Sequence, residues 1–123
     1  MILKEATIGG VVYLAWNENE MALPESERVG FNYGPLSNKV KIKLLHESGL
    51  GHSSPNGVDV CKAAIDDLGK KITNLKGANG EVLDTVAKCL AYQDADNELA
   101  YMLEIQGLTI WRRQMGEEVG LKN

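Results

Sequence analysis

Val58-Asp59-Val60-Cys61-Lys62-Ala63-Ala64-Ile65-Asp66-Asp67-Leu68-Gly69-Lys70-Lys71-Ile72, and the residues that follow it to Leu90, decide how this chain is read. Val58, Cys61, Ile65, Leu68 and Ile72 recur at spacings of three, four, three and four, which places five apolar side chains on one face of a helix. The next segment, Thr73-Asn74-Leu75-Lys76-Gly77-Ala78-Asn79-Gly80-Glu81, does not continue that helix. Its two glycines and its Asn-Gly pair favour positive φ and a tight turn. Asp84 or Thr85 then caps a second helix that carries Val86, Cys89 and Leu90. Ile65 and Leu68, in the middle of the stripe, are expected in the core. Truncating Leu68 to alanine there would cost about 2–5 kcal/mol.

Working outward towards the N-terminus, the pattern changes. Ile8-Gly9-Gly10-Val11-Val12-Tyr13-Leu14-Ala15-Trp16 is rich in β-branched and aromatic residues and reads as a strand. Asn17 to Ser26 is a polar connection, or a single helical turn, around Pro24. Arg28-Val29-Gly30-Phe31-Asn32-Tyr33 alternates with period two and reads as a second strand. The two strands are expected to form an antiparallel hairpin that packs on helices or on another subunit, because two strands alone are marginal. Ser37 is a good N-cap for residues 38–48. The alternation of Lys39, Lys41 and Lys43 with Val40, Ile42 and Leu44 also suits a strand. The cap and the Leu44-Leu45 pair favour helix, with the lysines on a solvated face.

Towards the C-terminus, Asp94 or Asp96 caps a further helix whose apolar candidates are Leu99, Met102, Leu103 and Ile110. Gly107 is expected to bend or stop it. Trp111-Arg112-Arg113-Gln114-Met115 has two readings. Either Trp111 closes the core and the arginines stay wet, or the group is a partner-binding surface of the aromatic and arginine-rich kind. Tyr101, Trp111, Arg112, Arg113 and Met115 are the candidate partner-binding residues. The reading that results is one α+β domain over residues 1–123. It has a two-stranded β-rich part (1–36), three or four helices (37–115) and a mobile tail (116–123).

Chemistry is sparse. The chain has 123 residues, a net charge of −4 and a sequence pI of about 5.2, which argues against a nucleic-acid-binding face. No apolar run approaches the roughly 20 residues that span a bilayer, and Met1-Ile2-Leu3-Lys4-Glu5 lacks the order of a signal peptide. Cys61 and Cys89 sit at apolar helix positions and read as buried thiols in a reducing compartment. The loop from Gly49 to Gly57 lacks the Gly-Lys-Ser/Thr ending of a phosphate loop. His52 beside Ser53 has no signposted acid or oxyanion hole. His46, His52 and the cysteines are too scattered for a zinc spacing. No catalytic residue, cofactor or metal is expected.

The order of segments does resemble a known family. A strand closing on Pro35-Leu36-Ser37 is followed by a helix and a second helix from about Val58. Then come Ile72-Thr73-Asn74-Leu75-Lys76-Gly77-Ala78-Asn79-Gly80-Glu81-Val82-Leu83, a final helix and the ending Gly120-Leu121-Lys122-Asn123. In outline this resembles the tail assembly chaperones of long-tailed bacteriophages over about the last ninety residues. Ile72-Thr73 stands where that family often has a tryptophan, and Gly77-Ala78 replaces its acidic residues. The resemblance implies a non-enzymatic, oligomeric protein of the infected host cytoplasm that coats the tape measure protein and recruits tail tube subunits. A head or tail completion protein would show the same α+β pattern, and acidic chains of this size also suit a small phage-encoded inhibitor of a host protein. Leu121-Lys122-Asn123 is also compatible with an A-AAA-AAC run on which ribosomes slip, so a longer frameshifted product is part of the expectation.

Overall fold

The computed structural model describes residues 1–3, 9–47 and 55–116. Its fold is α+β: a small antiparallel sheet with helices packed against it. Strands β1 (Gly10–Tyr13) and β2 (Gly30–Tyr33) form the expected hairpin, with Val12 opposite Phe31. The connection between them is well tied. A helical turn, α1 (Glu18–Met21), is capped by the Asn17 side chain, which accepts from the Glu20 amide. Arg28 donates to the carbonyls of Leu23 and Met21 at 2.7 and 2.9 Å.

Residues 38–47 resolve the helix-or-strand ambiguity as helix, α2 (Asn38–Glu47). Ser37 Oγ accepts from the Val40 amide at 3.2 Å, so a first-turn donor is satisfied at the point where a strand would have begun. Leu44 is buried, whereas Ile42 is exposed.

The largest departure from the expected pattern lies in the segment that opened the sequence reading. Val58 to Ile72 is not one helix. Helix α3 covers Gly57–Ala64, a 3-10 turn covers Asp66–Leu68, and Ile72–Thr73 forms a third strand, β3, on the free side of β2. Gly69 sits at φ 69°, ψ 19°, the left-handed conformation that ends helices and that a residue with a Cβ rarely adopts. The Lys70 amide then donates to the Ile65 carbonyl at 2.8 Å and the chain turns back. The buried stripe is therefore Gly57, Val60, Cys61, Ala64 and Ile65, rotated from the expected one. Ile72 remains buried, but as a strand residue paired with Phe31. Leu68, expected in the core, is 42% exposed.

In the segment after β3, Asn74 and Gly80 take the expected positive φ (64° and 84°) while Gly77 and Asn79 do not, and Lys76 bridges Val82 across the turn. Thr85 caps α4 (Val86–Ala91) by accepting from the Lys88 amide. Val86 and Cys89 face the core, while Leu90 is exposed, contrary to its placement on the same face. Asp94 accepts from the amides of Glu98 and Leu99 at the start of α5 (Glu98–Gln114). Helix α5 runs through Gly107 without a stop. Residues 117–123, the greater part of the expected tail, lie outside the described residues.

The reason Gly107 is tolerated is steric. A Cβ at residue 107 would lie 1.8 Å from the Gly57 carbonyl oxygen, and a Cβ at residue 57 would lie 2.1 Å from the Glu104 carbonyl oxygen. Helices α3 and α5 thus meet backbone to backbone. Phe31, Val60, Cys61, Ile65, Ile72, Val86, Leu103, Ile110 and Trp111 belong to one buried cluster around that contact.

Two outcomes follow from these positions. Leu68→Ala should cost only about 1 kcal/mol, since roughly half of a leucine's full burial is at stake, whereas Ile65→Ala should cost about 2–5 kcal/mol. Gly107→Ala tests the backbone contact through its sign. In an open helix it would stabilise by about 1 kcal/mol, but here it should destabilise by about 3 kcal/mol, because carbonyl groups rather than flexible side chains block the methyl group. Urea denaturation midpoints measure both.

Candidate functional site

The chemically distinctive surface lies where the chain leaves β1 and where α5 begins. Val12 and Leu14 are buried. Continued alternation would bury Trp16 as well, but the strand ends at Tyr13 and the chain turns towards α1. Trp16 is left 44% exposed and Tyr101, in the first turns of α5, is 60% exposed. Their rings meet edge to face, centroids 5.9 Å apart at an interplanar angle of 81°. This arrangement matches the preferred geometry of aromatic quadrupoles.

The pair borders a cleft of about 270 Å³, lined also by Leu14, Asn17, Asp96, Asn97, Glu98 and Met102. Leu14 and the half-buried Met102 supply apolar surface. Asp96 and Glu98 supply two exposed carboxylates. Asn97 holds the turn between them in the left-handed region, φ 55°. Among the described residues, no lysine or arginine lines the cleft.

The five partner-binding candidates do not converge on one patch. Tyr101 belongs to the cleft. Trp111 is 5% exposed and closes the core, the structural one of its two readings. Arg113 turns inward, donating to the Val11 carbonyl at 2.9 Å with its guanidinium 6.0 Å from the Tyr33 ring centroid. Arg112 and Met115 are exposed at the far end of α5. Fourteen residues at a helical rise of 1.5 Å put Met115 about 21 Å from Tyr101. Trp16 was not among the candidates, because its strand-like context predicts burial. The only signal for its exposure is Asn17, a helix-capping residue type directly after it.

Other chemistry-bearing residues give no centre. His46 is exposed in the last turn of α2. His52 and Ser53 lie outside the described residues. Among the described residues, no group of three or more histidine, cysteine or acidic side chains is placed to hold a metal ion. Among the described residues, no helix is long and apolar enough to cross a membrane. Cys61 and Cys89 are buried free thiols. Burial, together with the neighbouring Cys89, pushes Cys61 up to about 12. Burial, with Asp66 and Asp84 nearby, pushes Cys89 up to about 11. A thiol so shifted is protonated at neutral pH and is a poor nucleophile.

No protein-family model, curated protein or solved structure matches this chain.

The thiol shifts carry a sign. Both are raised from an ordinary 9.0, so the unfolded state releases protons before the folded state does. Their contribution to stability is present in full below about pH 9 and is lost as pH rises through 11 to 12. Iodoacetamide at pH 8 should label both cysteines in urea and neither at a comparable rate in the folded protein. The urea midpoint should fall above pH 9, and less steeply in Cys61→Ala.

Proposed function

We propose that this chain is a non-enzymatic binding protein that acts as a tail assembly chaperone of a long-tailed bacteriophage. In this reading it holds the tape measure protein in the infected host cytoplasm and helps recruit tail tube subunits. One observation carries the binding part: the Trp16–Tyr101 pair, large aromatic groups left 44% and 60% exposed on an ordered helix and loop. A holding protein needs apolar anchors on a surface that otherwise stays soluble, and the chain's net charge of −4 suits the second requirement. The phage assignment comes from the ordered resemblance of segments from Pro35 onward. Self-association belongs to the same proposal, by way of the outer edge of β1. The Val11 carbonyl on that strand is taken by Arg113, so an interface there would use the remaining edge groups.

The test is co-expression with the long, helical, repetitive reading frame that this proposal places directly downstream of the gene. The two products should co-elute, and the chain should be absent from purified phage particles. Trp16→Ala with Tyr101→Ala should weaken the complex by about 30-fold, the loss of a hot-spot pair, with little change in thermal stability because both rings are substantially exposed. Failure to co-elute, or presence in the finished particle, would count against a chaperone. Sedimentation at tens of micromolar reads out self-association.

A further inference from the structure

We propose that the cleft between Trp16 and Tyr101 is a recognition site for a single basic side chain, arginine in preference to lysine, carried by a partner protein. This rests on the partner-binding reading and specifies what that surface selects. Three observations converge. The first is size. At about 270 Å³ the cleft lies at or below the roughly 300–1,000 Å³ of sites that enclose whole small molecules, which suits one inserted side chain. The second is the aromatic pair. An edge-to-face arrangement at 81° leaves π-face accessible on partly exposed rings, and a guanidinium stacks on such faces better than an ammonium. The third is charge. Asp96 and Glu98 line the cleft, and among the described residues no basic side chain lines it with them and neither carboxylate forms an ion pair.

Among the described residues the Asp96 and Glu98 carboxylates and the Asn97 side chain are lining groups left without a hydrogen-bond partner, whereas other polar groups nearby are committed. The Asp94 carboxylate accepts from the Glu98 and Leu99 amides, and the Asn17 side chain accepts from the Glu20 amide. Leu14 and Met102 form apolar surface along which the methylene stem of an arginine can lie. A purely apolar occupant would cover two carboxylates without compensating them, so the site discriminates against it. A basic side chain satisfies rim and rings together.

The experiment uses the intact chain and two capped pentapeptides, alanyl-leucyl-arginyl-leucyl-alaninamide and the same peptide with citrulline for arginine. Citrulline keeps the shape and removes the charge. The readout is the indole N–H resonance of Trp16, with that of the buried Trp111 as internal reference. The arginine peptide should shift the Trp16 resonance saturably in the millimolar range, and citrulline should bind roughly fivefold more weakly. Asp96→Asn with Glu98→Gln should lose a similar factor and most of the salt dependence, and Tyr101→Ala should abolish the shift. The amide spectrum reports whether each variant is folded. Equal shifts from the two peptides, no shift up to about 10 mM, or an unaffected Asp96→Asn, Glu98→Gln variant would overturn the proposal. No phage protein enters this assay. Its failure therefore leaves the chaperone reading to the co-expression test, and failure of that test leaves the cleft's selectivity standing.

Discussion

The closest constraint in the molecule is the crossing of α3 and α5 at Gly57 and Gly107. With no side chain on either residue, the helices approach until the Gly57 carbonyl fills the place of a Cβ at 107. That approach lets one carboxylate do a second task. Glu104, one turn before Gly107, reaches the first amides of α3, with Gly57 N and Val58 N 3.0 and 3.3 Å from its oxygens. The Cys61 thiol donates to the Leu103 carbonyl at 3.3 Å in the same contact. A wider crossing would lose these polar pairs and open a void between Val60 and Leu103, both essentially inaccessible to solvent.

The same device recurs around the fold: helix ends are satisfied by side chains from elsewhere in the chain. Asp66, in the turn after α3, accepts from the Val86 and Ala87 amides and so fixes the start of α4. Gln114, at the end of α5, accepts from the Leu36 amide and donates to the Gly34 carbonyl, clasping the exit of β2. Lys41 of α2 donates to the Gln114 carbonyl. Gln106, the buried polar residue of the core, donates to the Val12 carbonyl. These bonds tie short elements that local propensity alone would hold weakly. The sheet of four-, four- and two-residue strands gains most, because α5 supports both β1 and the segment after β2.

The two tryptophans take opposite environments, one buried and one substantially exposed. Trp111 completes the core at 5% exposure, and its neighbour Arg113 guards the β1 edge. Asn32, opposite Val11, donates to the Lys71 carbonyl on the β3 side, so Val11 turns its own polar groups to the open edge. The arginine there is structural. Trp16 sits just beyond the other end of the same strand and meets Tyr101 edge to face. The scaffold thus leaves a partly exposed aromatic pair beside two carboxylates that form no ion pair among the described residues.

By itself the sequence determined the features whose causes are local. Richness in β-branched and aromatic residues placed β1, and period-two alternation placed β2. Ser37 marked the start of α2 and the pair Asp84-Thr85 the start of α4, because a side-chain oxygen there satisfies a backbone donor wherever the chain folds, and the structure selects Thr85 of the pair. The apolar positions Leu99, Leu103 and Ile110 of α5 followed from 3.6-residue periodicity. The tertiary structure decided what depends on partners distant in sequence. Ile72 could continue a helical stripe or join a strand, and only pairing with Phe31, 41 positions away, settles it as strand. Gly107 reads as a helix breaker until Gly57 is brought against it. Trp111 and Trp16 carry the same side chain, and which one is buried depends on where α5 and the end of β1 lie in space. The cleft is the extreme case. Trp16, Asp96, Glu98 and Tyr101 come from segments 80 or more residues apart, so their proximity exists only once the long-range contacts of the core have formed.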